Sequence, residues 1–112
     1  MIVTKEFEFD AAHRLLNYHG KCEELHGHRW KLRISIEAAV GDNGIAFDFL
    51  ELSQLVNERV ISKLDHSYLN NLLAQPSTEN IATWTWNRLR DLPLCEIQVW
   101  ESPTSSVTYR GM

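Results

Sequence analysis

The chain has 112 residues, a formal net charge of −4 and no apolar run long enough to cross a bilayer. One domain over residues 1–112 is therefore expected, and neither nucleic acid nor a membrane is an expected partner. No signal segment is apparent and there are only two cysteines, Cys22 and Cys95. A cytoplasmic setting with reduced thiols follows, although a Cys22–Cys95 disulfide is open in principle.

Residues 2–13 alternate, with Phe7, Phe9, Ala11 and His13 on one face and Glu6, Glu8 and Asp10 on the other. This predicts a half-buried strand with His13 on its buried face. Residues 26–40 repeat the pattern: His26, His28, Trp30, Leu32, Ile34 and Ile36 share one parity. If the two strands pair antiparallel, the end of the first meets the start of the second and the three imidazoles converge. A turn at 41–44 leads to a helix over about 49–64, capped by Asp48, with Leu52, Val56, Val60 and Leu64 as its apolar stripe. Pro76, Ser77 and Thr78 announce a second helix over about 78–91, with Ile81, Trp84 and Leu89 inward. Strands at 94–101 and 105–110 complete an α+β domain, a four-stranded antiparallel sheet with two helices on one face. Four Trp, four Phe and three Tyr in so short a chain leave apolar surface that other copies could cover.

Three histidines on one converging face form a metal-binding set. His-x-His on a strand is bidentate because alternate residues share a face. Three imidazoles suit zinc with a coordination position left open for substrate, although iron and nickel also accept imidazole. Cys22 stands four residues before His26 in the polar run H-G-K-C-E-E, where a metal ion, Lys21 or a histidine would lower its pKa and free a thiolate base. Direct ligation of the metal by Cys22 is the competing reading. Asp65-His66 is either a helix-ending turn or an imidazole oriented by a carboxylate for acid–base work. Glu101 ends an apolar strand on its buried face. It is either solvated at a frayed end or an acceptor for the N–H donors of a heterocycle. Ser77, Thr78 and Glu79 include a helix cap.

In chain order the motifs are F-D-A-A-H-R, C-E-E-L-H-G-H, D-F-x-x-L, L-D-H-x-x-L-N, P-S-T-E-N and W-E-S. Their joint order and spacing resemble the 6-pyruvoyl-tetrahydropterin synthase and 6-carboxytetrahydropterin synthase family over nearly the whole chain. The resemblance implies the tunnelling (T-fold) architecture, whose units join as trimers with sheets closed into a barrel, often stacked as hexamers with active sites between subunits. It implies zinc held by His13, His26 and His28, and a proton relay of Cys22, Asp65 and His66. It implies a pterin ring anchored by Glu101, in a pocket lined by Ser77, Thr78 and Glu79. The implied substrate is 7,8-dihydroneopterin triphosphate.

Cys22 four residues before His26 matches the carboxy-pterin branch, which releases triphosphate and acetaldehyde on the route to queuosine and other 7-deazapurines. The pyruvoyl synthase reaction is the alternative. The stretch between His13 and Cys22 and the turn before Phe47 are short for the family, which bears on substrate preference. Outside the family stand a zinc hydrolase, for which the H-E-x-x-H helix motif is missing, and a structural zinc module. The latter leaves Cys22, Asp65, His66 and Glu101 without a role.

Overall fold

The computed structural model describes residues 1–17 and 23–111. Strand β1 (Ile2–His13) pairs antiparallel with β2 (His26–Glu37) along its whole length, from Ile2 opposite Glu37 to His13 opposite His26. The alternation predicted from sequence is present. Phe9, Ala11 and His13 are buried, as are Trp30, Leu32, Ile34 and Ile36, whereas Glu6 and Glu8 are exposed. β2 stops short of the predicted residue 40. There the backbone leaves the ladder: Glu37 N–H donates to the Pro93 carbonyl and Ala38 N–H to the Met1 carbonyl.

β4 (Leu94–Ser102) adds antiparallel to β2, and β5 (Ser105–Tyr109) adds antiparallel to β4. The sheet has five strands, which corrects the expected four. β3 (Ser67–Tyr68) lies parallel beside Ala11 and Ala12, giving the order β3-β1-β2-β4-β5. Two residues carry no readable alternation. This strand exists because the turn before it is bonded to β1, as described below.

Asp48 caps α1 (Phe49–Val56) by accepting the Leu50 N–H at 2.9 Å. The helical run continues through a π-helical stretch, Asn57–Ile61, into the single turn α2 (Ser62–Leu64). All four stripe residues, Leu52, Val56, Val60 and Leu64, are fully buried. Successive four-residue steps on a 3.6-residue helix drift by about 40° each, so a plain α-helix would carry Leu64 off the core face. The wider π turns absorb that drift.

Ser77 caps α3 (Thr78–Arg88), its hydroxyl accepting the Asn80 N–H at 3.1 Å. α3 ends at Arg88 rather than 91. Leu89 is buried, and its N–H turns back to the Trp86 carbonyl at 3.1 Å. Ile81, Ala82 and Thr85 face inward, while Trp84 is only half-buried.

The helices pack on the sheet face that carries Phe9, Trp30, Leu32, Ile34, Ile97 and Val99. The other face is a charge ladder in which Arg29 pairs with Glu8 and Asp10, and Lys31 and Arg33 pair with Glu6. Among the described residues no helix is long and apolar enough to cross a membrane.

Candidate active site

The β1–β2 register sets His13 opposite His26, and the pleat puts His28 on the same face. The ring centroids lie 4.5 Å apart for His13 and His26, 4.7 Å for His26 and His28, and 5.5 Å for His13 and His28. His13 Nδ1 bonds to the Pro76 carbonyl and His26 Nδ1 to the Glu24 carbonyl, each at 2.7 Å. A carbonyl only accepts, so both rings carry a proton on Nδ1, which leaves Nε2 as the ligating atom of the neutral form. The Nε2 atoms of His13 and His28 are buried without a hydrogen-bond partner among the described residues.

Glu101 Oε1 stands 3.0 Å from Nε2 of His13, 3.3 Å from that of His28 and 4.0 Å from that of His26. Lone pairs facing a carboxylate repel each other, and a cation among them reverses the sign. The four residues therefore fit a metal ion, and imidazole with carboxylate suits zinc or iron. Burial is the main cause that holds the His28 imidazole below its usual range, against the opposing pull of Glu101. That favours the neutral, ligating form. Trp30 backs the cluster, edge-on to His13 at 5.0 Å and to His28 at 5.7 Å, with its indole N–H donated to the Ala11 carbonyl.

Asp65 and His66 form the turn after α2, and β1 clasps them through Asp10. The Asp10 N–H donates to Asp65 Oδ1 at 3.0 Å, and the Asp10 carbonyl accepts the His66 N–H at 2.7 Å. Asp65 Oδ2 lies 3.0 Å from His66 Nδ1. The Asp10 backbone bond, with His66 second, holds the Asp65 carboxyl below its ordinary range. His66 has φ of +56°, a left-handed conformation costly for a residue with a side chain. Its imidazole is 81% exposed. The pair lies in a helix-ending turn and its side chains are also in contact.

His66 and His28 open on one shallow cavity of about 450 Å³, also lined by Asp10, Gly27 and Arg29. A second cavity of about 440 Å³ is lined by Glu101, His28, Lys31, Trp100 and Pro103. It gives a flat ring room beside the Glu101 carboxylate.

Cys22 lies outside the described residues. Ser77 is spent on the α3 cap, Thr78 is half-buried and Glu79 is exposed. None of the three lines either cavity. Their link to the histidines is the Pro76 carbonyl. Cys95 is half-buried on β4 and burial pushes its thiol up, in keeping with a packing role. Sequence reasoning placed Trp30 and Asp10 on their strand faces but missed their part in the site. Trp30 was legible in principle, since it shares the parity of His28. Asp10 acts on the turn through its backbone, which no side-chain pattern reports.

The profile of the 6-pyruvoyl tetrahydropterin synthase family matches residues 2–112. A 6-carboxy-5,6,7,8-tetrahydropterin synthase of Synechocystis sp. is 36% identical, covering 96% of this chain and 92% of the relative. A 6-pyruvoyl tetrahydrobiopterin synthase of Dictyostelium discoideum is 31% identical, covering 99% and 96%. The solved structure of Caenorhabditis elegans 6-pyruvoyl tetrahydropterin synthase superimposes with a TM-score of 0.87 at 25% identity, covering 100% of this chain and 97% of that one. With its T-fold sheet, helices on one sheet face and histidine cluster, the chain belongs to the 6-pyruvoyl tetrahydropterin synthase family.

Proposed function

We propose that the protein is a zinc-dependent pterin synthase of the carbon–carbon and carbon–oxygen lyase type. It converts 7,8-dihydroneopterin triphosphate and one water to 6-carboxy-5,6,7,8-tetrahydropterin, releasing triphosphate and acetaldehyde, on the route to queuosine and other 7-deazapurines. The observation that carries this reading is the convergence of three imidazoles on one point, with Nε2 of His13 and His28 buried and without a hydrogen bond among the described residues. The Synechocystis relative, 36% identical, supports the choice of branch.

His13, His26 and His28 would hold the zinc ion, which as a Lewis acid makes neighbouring hydroxyl and C–H protons easier to remove. Cys22 is the base that takes a side-chain proton as its thiolate. His66 is the second proton carrier, acting through the ring nitrogen opposite its Asp65 contact while Asp65 holds Nδ1. Glu101 accepts N–H donors of the pterin in the cavity it shares with Trp100 and Pro103. That fixes the side chain toward the histidines, an orientation effect worth several kcal/mol. Ser77, Thr78 and Glu79 line the pterin pocket once copies assemble into cytoplasmic trimers or hexamers with sites between subunits.

The pyruvoyl synthase reaction is the second reading, favoured by the TM-score of 0.87 with the C. elegans enzyme. Incubating the zinc-loaded protein with 7,8-dihydroneopterin triphosphate and weighing the pterin product decides between them. The carboxy product with acetaldehyde is expected. The pyruvoyl product would replace the first reading with the second, and an unconsumed substrate would overturn both.

A further inference from the structure

The backbone N–H and carbonyl of Asp10 both point away from β2 and into the Asp65-His66 turn. Asp10 and Arg29, opposite each other in register, are therefore a non-hydrogen-bonded pair, the kind whose side chains lie closest. Arg29 donates from one nitrogen to Asp10 Oδ2 at 3.1 Å and from another to Glu8 Oε2 at 3.0 Å. An Asp10 oxygen, an Asp65 oxygen and a His66 ring nitrogen nevertheless lie within 4.8 Å of one another. His66 thus has two carboxylates in reach and is bonded to one.

We propose that Arg29 and Asp10 are positioning residues for His66. The Arg29 guanidinium draws the Asp10 carboxylate off the imidazole, so that Asp65 alone sets the ring and its other nitrogen faces the cavity shared with His28. This rests on the proton-carrier role given to His66 above. Among the described residues, the titratable and charged groups around the ring are Asp65 from its own turn, Asp10 from β1, and Arg29 and His28 from β2. The three ion-pair partners are exposed, with side chains 66%, 57% and 46% accessible for Arg29, Glu8 and Asp10. Such pairs add little to stability, so a change of ring orientation is separable from a change of fold.

The test is a two-substitution cycle on the zinc-loaded protein. Arg29→Met frees Asp10 to compete for the ring. It should lower kcat roughly tenfold or more with KM nearly kept, since small misplacements of a catalytic group cost that much. The ¹⁵N resonances of the His66 ring should move as a second hydrogen bond forms, with zinc content unchanged. Adding Asp10→Asn should return both kcat and the ring resonances toward their original values, and Arg29→Lys should restore them in part. Unmoved resonances in Arg29→Met, or a double variant as impaired as the single one, would overturn the proposal. The ring resonances report without turnover. A shift that appears and reverts in a protein inactive on the pterin triphosphate would keep the positioning role and remove only the assigned reaction.

Discussion

His13 and Pro76 are joined by a 2.7 Å bond from Nδ1 to the carbonyl oxygen, which ties the deepest imidazole to the residue that leads into α3. His13→Ala should therefore do two things. It should abolish zinc binding, and it should leave a buried carbonyl unbonded beside a cavity, costing about 2–4 kcal/mol. His26 is only partly buried, so His26→Ala should lose zinc with a much smaller loss of stability. Metal stoichiometry and urea denaturation on the two variants read this contrast. Equal destabilisation would contradict it.

Removing zinc from the zinc-loaded protein is expected to stop turnover while leaving the sheet and helices formed. The core cluster of Trp30, Leu32, Ile34, Ile97 and the α1 stripe is complete without the histidines. A ligand bound only by the folded state adds stability by mass action, so the chelated protein should melt lower but still cooperatively. Circular dichroism before and after chelation checks this. Loss of the far-ultraviolet signal would point to a structural zinc module instead.

Glu101→Gln separates two roles of one carboxylate. If Glu101 chiefly anchors the pterin, zinc should stay bound and KM should rise by about tenfold, the loss of a charge-assisted hydrogen bond. Zinc loss on dialysis would make it a ligand.

The pH dependence of stability should carry a signature of Asp65. Its folded pKa is depressed, chiefly by the Asp10 N–H. The stabilisation is thus present above the unfolded carboxyl pKa and is lost as pH falls through the lower, folded one. Asp65→Asn should lower stability in the neutral region and flatten the acid side of the profile below about pH 4, so that variant and parent converge at low pH. An acid limb identical to that of the parent would contradict the clasp.

At His66 the backbone and the side chain make opposite demands. His66→Ala and His66→Gly should be equally slow. Glycine tolerates φ of +56° where alanine does not, so the glycine variant should be more stable by about 1 kcal/mol. Thermal melts of the two variants decide the matter.

The parts of this molecule that rest on side-chain period were readable in the sequence. The alternation through Phe7, Phe9, Ala11 and His13, continued by His26 and His28, predicted the histidine cluster because an antiparallel register needs only parity and a short connection. The four-residue stripe of α1 and the caps at Asp48 and Ser77 were readable for the same reason. What escaped depends on backbone bonds. β3 exists because Asp10 clasps the Asp65-His66 turn, and two residues have no period. The placement of Glu101 against the histidines depends on the β2–β4 register, which Cys95, Ile97 and Val99 constrain only to a face.

The π-helical stretch at Asn57–Ile61 means that the first helical run carries one spare residue. Excising Glu58, which is exposed, would change the spacing of the stripe from four, four, four to four, three, four. That is the rhythm of an ordinary α-helix. The same apolar side chains would still reach the sheet, and the turn bearing Asp65 would emerge in the same direction. Length variation among homologous chains is thus tolerable at this point, in the middle of a helix, where an insertion would otherwise be the least expected.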